Sequence, residues 1–215
     1  MCGISGVVYF NEVTISSQII ADFNNQLRHR GPDGHDVWVD STLNVGLGHR
    51  RLSILDLSDK ASQPMSFANE RYWMVYNGEV FNFVELKQEL IGLGYSFKTE
   101  SDSEVVLAAY TEWKEDCVKH FNGMWAIVIL DRETKKFFIS RDRFGIKPLY
   151  YTLDHNLFAF ASESIAFNKL HGFKKEINPN NTLYNITNTY ALEGTGETIY
   201  KNIYQIRSGH NAILD

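Results

Sequence analysis

The chain predicts an α+β fold in which antiparallel sheets are covered by helices. Three observations carry this. Short apolar runs rich in β-branched and aromatic residues recur at 3–10, 37–39, 43–47, 72–76, 124–130, 136–140, 148–151 and 157–161. Their connections are mostly hairpin-sized, too short for the crossovers that a parallel sheet needs. Helical periodicity is confined to separate stretches and does not alternate with every strand.

Each element has a local reason. Residues 3–10 form a short apolar run bounded by Asn11, read as a buried strand with Cys2 at its start. Over 16–29, Ile19, Ile20, Phe23 and Leu27 share a helical face, and Ser16 or Ser17 is the cap. Arg30-Gly-Pro-Asp-Gly34 breaks that pattern as a turn. Asp40-Ser-Thr42 supplies a hairpin between the next two strands. The strand at 72–76 is expected to end at Asn77-Gly78, a dipeptide suited to a tight turn with positive φ.

Residues 82–93 read as a helix with Val84, Leu90, Ile91 and Leu93 roughly on one side and Gly94 as its stop. Ser101-Asp-Ser-Glu104 has capping-box spacing and opens a helix over 102–120. A short helix is expected near 163–170. Beyond Gly172, Asn178-Pro-Asn-Asn181 and Gly194-Thr-Gly196 mark an extended, turn-rich tail. One domain over 2–215 follows, with its core at about 2–170 and 171–215 as the tail.

Composition narrows the function. The chain has 215 residues, 44% of them hydrophobic, and a formal net charge of -5. Neither a basic stripe for nucleic acid nor a polybasic segment for a membrane surface is present. The longest apolar runs are too short to span a bilayer, and no secretory leader is evident. The only cysteines are Cys2 and Cys117, which excludes a disulfide framework. A reactive thiol needs a reducing compartment, so the cytoplasm is expected. Cys117 lies in a helical pattern and reads as a small buried hydrophobe. No CxxC, HExxH or comparable spacing points to a metal. The seven histidines show no ligand spacing.

Cys2 is the candidate nucleophile. With Met1 removed, its thiol lies beside a free α-amine. That amine has a reference pKa of roughly 7.7–8, which lets it act as the base for the thiol.

Eight ordered segments then share a likeness: Met1-Cys-Gly-Ile-Ser-Gly6, Arg28-His-Arg-Gly-Pro-Asp-Gly34, Gly48-His-Arg-Arg-Leu-Ser-Ile54, Gln63-Pro-Met65, Tyr76-Asn-Gly-Glu-Val-Phe-Asn82, Ser101-Asp-Ser-Glu104, Phe121-Asn-Gly-Met124 and Arg141-Asp-Arg-Phe-Gly-Ile-Lys-Pro-Leu-Tyr150. With them the chain resembles the class II (N-terminal nucleophile) glutamine amidotransferase domain of the asparagine synthase (glutamine-hydrolysing) family. The resemblance implies a four-layer αββα sandwich, with two antiparallel sheets between helix layers. It implies hydrolysis of L-glutamine through a thioester on Cys2. Asn77, by its side-chain amide, and Gly78, by its backbone N–H, match the oxyanion hole. One such donor is typically worth about 100- to 1000-fold in rate.

Arg51 matches the arginine that takes the glutamine α-carboxylate, a planar fork suited to that group. Arg50, its neighbour, is expected to point to the opposite face. Asp102 matches the partner of the α-ammonium, and Glu79 matches a second contact. Leu52, Ser53, Ile54 and Leu55 are expected to line the pocket. The segments 28–34 and 141–150 receive no catalytic role.

The resemblance further implies no cofactor for glutamine hydrolysis. ATP and Mg belong to a synthetase domain or subunit that receives the ammonia. That domain's Ser-Gly-Gly-x-Asp-Ser loop is absent from this sequence, and 198–210 looks like the linker toward it. The expected partners are therefore L-glutamine and an ATP-dependent synthetase, not nucleic acid or membrane. Three alternatives stay open: a non-catalytic module that senses glutamine or aids assembly, an amidotransferase serving another acceptor such as a carboxylated sugar, and an N-terminal nucleophile hydrolase acting on another amide.

Overall fold

Strand β1 (Gly3–Tyr9) is buried along its whole length, which marks it as a central strand. The computed structural model describes residues 1–52 and 61–215 of the chain. Around β1 come α1 (Ser17–Asn25), β2 (Gly34–Asp40) and β3 (Val45–Arg51), then β4 (Met65–Phe67), β5 (Tyr72–Val80), α2 (Phe83–Gly92), α3 (Asp102–Trp113) and α4 (Cys117–His120). The chain continues through β6 (Gly123–Asp131), β7 (Lys136–Arg141), β8 (Tyr150–Leu153), β9 (Leu157–Ala161), α5 (Pro179–Thr187), β10 (Tyr204–Gln205) and β11 (Asn211–Leu214).

Among the described residues the strands form two sheets. One has six strands in the order β10-β8-β9-β1-β3-β2, the other five in the order β11-β7-β6-β5-β4. Neighbouring strands within them run antiparallel. The sheets face each other across Ile4, Val8, Val45 and Leu47 on one side and Val75, Ala126, Val128 and Ile139 on the other. Sheets packed this way interdigitate alternate side chains of each strand. The opposite face of the six-stranded sheet is covered by α1 and the short 3-10 helix Ala166–Lys169, the helix expected near 163–170, through Ile20, Phe23, Leu27 and Phe167. The opposite face of the other sheet is covered by α2 and α3 through Leu86, Leu90, Val106 and Ala109. The result is the expected αββα order. Among the described residues, no helix is long and apolar enough to cross a membrane.

Several local expectations are corrected. β5 does not end at Asn77-Gly78 but continues to Val80, with Asn77 opposite Ala126 and Gly78 opposite Trp125. Neither residue has positive φ. The glycine serves close packing instead: a Cβ there would strike the Tyr76 ring and lie 2.5 Å from the Met124 carbonyl oxygen. α1 keeps the predicted Ser16 cap, whose hydroxyl accepts from Ile19 N–H at 3.3 Å, but it ends at Asn25. α2 buries Leu86 and Leu90, one turn apart, whereas Val84, Ile91 and Leu93 are exposed.

The helix expected over 102–120 stops at Trp113, where Lys114 adopts φ 52°. The capping box closes only in part. Ser101 Oγ accepts from Ser103 N–H at 3.2 Å, while Glu104 turns away to accept from Lys98 N–H, Thr99 N–H and the Thr99 hydroxyl. The segment after Gly172 is not merely extended. Asn178 caps α5 with its side chain, Ile203 and Ile206 are buried, and β10 and β11 add an edge strand to each sheet. Cys117 is buried as expected, and desolvation pushes its thiol well above the ordinary cysteine range.

Candidate active site

The start of β1 and the end of β3 lie side by side, with Gly3 opposite Arg50 and Ile4 opposite His49. Strand alternation then puts Cys2, His49 and Arg51 on the face toward the second sheet. Arg50 points the other way, to the carbonyl of Asn24 and the side chain of Asn25 on α1.

Cys2 is half-buried and is held from two sides. Its Sγ receives a hydrogen bond from Leu52 N–H at 3.4 Å and donates to Leu52 O at 3.6 Å. Its carbonyl accepts from Arg30 Nε at 2.9 Å, and Arg30 Nη1 meets Glu163 Oε1 at 2.6 Å. Burial works to raise the Glu163 pKa, but bonds from Arg30 and His29 outweigh it and keep the carboxyl below its usual range. Next to Glu163, Ser162 exchanges hydrogen bonds with Ile4, its Oγ accepting from Ile4 N–H and its N–H donating to Ile4 O, each at 2.9 Å. The Arg28–Gly34 segment thus acquires a function in holding the nucleophile. Gly31 lets it lie flat, since a Cβ there would collide with the Arg50–Arg51 peptide.

β5 supplies the opposite wall. Asn77 faces the inter-sheet side with Val75 and Glu79. It is only 2% exposed, and its Nδ2 has no hydrogen-bond partner among the described residues. A buried amide donor without a partner costs about 1–3 kcal/mol, which makes it a candidate to donate to a ligand atom. Trp125, opposite Gly78, gives both its N–H and its carbonyl to Asp142. The pair is therefore of the kind whose peptide groups point away from each other. The Gly78 N–H lies on the far edge of β5, which β4 covers only as far as Met65 opposite Met74. On that edge Tyr76 N–H donates to Gln63 Oε1 at 2.6 Å, and Val80 N–H donates to Asp102 Oδ2 at 3.1 Å.

Asp102 opens α3 and is almost fully buried. The Tyr76 hydroxyl donates to its Oδ2 at 2.8 Å. Burial raises the Asp102 pKa, opposed by the donors Tyr76, Val80 N–H and Ser103 N–H, while the neighbouring charge of Glu79 raises it further. His49 is 2% exposed. Burial lowers its pKa to about 3, aided by the charge of Arg51 and opposed by a hydrogen bond with the Tyr76 backbone. The ring is neutral at ordinary pH, and its Nε2 has no partner among the described residues.

Cys2, Arg51, Leu52, Gly78, Glu79 and Asp102 line one cleft together with His49, Gln63, Tyr76 and the Ser101–Ser103 turn. Asn77 lies on the inner face beside it and is not among its lining residues. Ser53, Ile54 and Leu55 fall outside the described residues. Sequence reasoning assigned no role to Arg30, His49, Gln63 or Tyr76. The signals were present, since each belongs to a motif segment, but a motif does not say which of its side chains turn inward. The cleft combines a thiol, a guanidinium and a carboxylate with amide donors nearby. That set suits a zwitterionic amino acid bearing a side-chain carbonyl.

Comparison with known proteins gives the family. The family model of the glutamine amidotransferase domain matches residues 1–215. Asparagine synthetase [glutamine-hydrolyzing] 1 of Bacillus subtilis is 42% identical over 168 residues, covering 76% of this chain and 26% of that protein. Asparagine synthetase [glutamine-hydrolyzing] 3 of the same organism is 36% identical over 213 residues, covering 98% of this chain and 34% of that protein. The chain therefore spans roughly a quarter to a third of the length of these curated relatives. Among solved structures, glutamine phosphoribosylpyrophosphate amidotransferase from B. subtilis aligns with a TM-score of 0.67 and 20% identity, covering 83% of this chain and 46% of that one. That likeness identifies the fold as the one shared with this amidotransferase. With a family match over its whole length, the chain belongs to the glutamine amidotransferase domain family.

Proposed function

We propose that this chain hydrolyses L-glutamine to glutamate and ammonia at Cys2 and supplies the ammonia to an ATP-dependent amidation, of which asparagine synthesis from aspartate is the leading case. The observation that carries the reading is the meeting of Cys2, Arg51 and Asp102 in one cleft beside the buried Asn77 Nδ2, which has no partner among the described residues.

The chemistry starts when Met1 is removed, because the Cys2 nitrogen is otherwise an amide. The freed α-amine takes the thiol proton. The thiolate attacks the glutamine side-chain carbonyl, and the carbonyl π electrons move to oxygen. Asn77 Nδ2 and Gly78 N–H donate to that oxyanion. The α-ammonium returns a proton to the nitrogen, the C–N bond breaks and ammonia leaves. Water then adds to the thioester, the C–S bond breaks, and glutamate departs with the thiol restored. Arg51 faces the α-carboxylate, and Asp102 with Glu79 faces the α-ammonium. Leu52 holds the sulfur through its backbone, and Ser53, Ile54 and Leu55 are assigned to the pocket wall on sequence grounds.

This half-reaction calls on no cofactor. ATP and Mg belong to the synthetase domain or subunit that takes the ammonia, and a reactive thiol suits a reducing, cytoplasmic setting. A carboxylated sugar as acceptor remains the alternative at that second step. A glutamine sensor without turnover is the weaker reading, because binding alone does not call for the Cys2 thiol in the cleft.

The test joins intact mass with turnover. The expected result is loss of Met1, one adduct at Cys2 from a glutamine-like diazoketone, and glutamate release that vanishes in Cys2→Ala. Equal release by Cys2→Ala and the parent would overturn the mechanism.

A further inference from the structure

We infer that Tyr76 is a positioning residue for amino-acid recognition: its phenol holds the Asp102 carboxylate in place at the cleft wall, where it faces the ammonium of the bound substrate. The inference rests on the proposed role of Asp102 and goes beyond it.

The geometry is built for this contact. Tyr76 and Gly78 lie on the same face of β5, two residues apart. The Tyr76 ring occupies the space where a Cβ of residue 78 would stand, so the glycine lets the ring lie along the strand toward α3. There the phenol donates to Asp102 Oδ2 at 2.8 Å, and Val80 N–H reaches the same oxygen at 3.1 Å. Oδ2 takes two donors and Ser103 N–H gives the carboxylate a third, so the group is fixed in place on the wall of the cleft. Gln63 adds a second tie between the same two elements. Its Oε1 accepts from Tyr76 N–H at 2.6 Å, and its Nε2 donates to Ser103 Oγ at 3.2 Å.

The electrostatics point the same way. The charged and titratable groups around Asp102 are Tyr76 and Glu79 from β5, with Cys2, His49 and Arg51 across the cleft. Burial pushes the Tyr76 phenol well above its usual range, and the charges of Asp102, Glu79 and Cys2 push it further, so it stays a proton donor. Asp102 suffers the same pressure, which here works against binding, because burial favours its neutral acid, and that form binds an ammonium poorly. The hydrogen bond from the phenol does the most to hold it ionised, ahead of those from Val80 and Ser103 N–H. Removing the hydroxyl weakens recognition of the ammonium without touching the attack on the amide.

The experiment measures binding in the Cys2→Ala background, where turnover does not intervene. L-Glutamine and glutaramate, the same chain without the α-amino group, are titrated into Cys2→Ala and into Cys2→Ala with Tyr76→Phe. The expected result is an affinity for glutamine lower by about tenfold, an acid limb of binding moved to higher pH, and unchanged affinity for glutaramate. In a background that also carries Asp102→Asn, Tyr76→Phe changes glutamine affinity by less than about twofold. Equal loss for both ligands, or no loss for glutamine, overturns the inference while leaving the glutaminase reading in place. Failure of Cys2→Ala to bind glutamine at all sinks both. Should Tyr76→Phe not fold, difluorotyrosine at position 76 replaces it. Its more acidic phenol moves the acid limb to lower pH, and an unmoved limb counts against the inference.

Discussion

Arg30 Nε donates to the carbonyl oxygen of Cys2 at 2.9 Å, and the same guanidinium pairs with Glu163 through Nη1 at 2.6 Å. The side chain is 8% exposed, so the contact is shielded from competing water. It ties the residue that carries the nucleophile to the loop after α1 and to the turn after β9.

Arg30→Leu removes this tie and leaves the Glu163 carboxylate without its closest cation. A loss of stability of about 1–3 kcal/mol and a fall in glutamate release of about 10- to 100-fold are expected. Urea unfolding and a coupled glutamate assay check the two. Arg30→Lys retains the charge but not the planar fork, so it should fall between the parent and the leucine variant.

His49 sets an acid limit on the fold. The unfolded ring takes up its proton near its ordinary pKa of 6.5, whereas the folded ring resists protonation until about pH 3. Between those values the unfolded state binds more protons. Stability is therefore fully present above about pH 6.5 and is lost as pH falls toward 3, with a slope of up to ~1.4 kcal/mol per pH unit from this residue. Urea midpoints at pH 7, 5.5 and 4.5 should fall more steeply in the parent than in His49→Gln. Parallel lines would show that the ring does not resist its proton.

Gly78→Ala places a methyl group against the Tyr76 ring and the Met124 carbonyl. Overpacking of this kind costs about 1–3 kcal/mol. Because the ring carries the Asp102 contact, glutamine affinity should fall together with stability. A thermal melt and a binding titration of the same sample test this, and unchanged values in both would show that the strand has room at residue 78.

Retention of Met1 should silence the chemistry without disturbing the fold. Met1 is 53% exposed and lies outside β1. A variant whose second residue blocks methionine removal is uninformative, since it alters Cys2 itself. A preparation made without methionine aminopeptidase activity keeps Cys2 and is the suitable sample. It should melt with the processed protein and release glutamate at a rate lower by at least about 100-fold.

Much of the fold was legible because its strands announce themselves. β1, β6, β7 and β9 lie within a residue or two of their expected bounds. Each is apolar enough that burial is its only stable fate. The errors share a cause. Asn77-Gly78 was read as a turn from its local preference, but nine paired residues between β5 and β6 override that preference. α2 was given the wrong face because Val84, Ile91 and Leu93 are as apolar as Leu86 and Leu90. Only the position of the helix over its sheet selects between them.

The site divides along the same line. Cys2, Arg51, Asn77, Gly78, Glu79 and Asp102 were singled out through the resemblance that the ordered motifs carry, and the structure brings them into or beside one cleft. Tyr76, His49, Gln63 and Arg30 were not, because their roles depend on what lies opposite them. Tyr76 acts on Asp102, 26 residues away in the chain, and Arg30 meets Glu163, 133 residues away. The sequence by itself determined the reactive groups and the layers that bury them. Only the tertiary structure decided which of those groups share a cleft, since hydrogen bonding and desolvation depend on distance in space and not on separation along the chain.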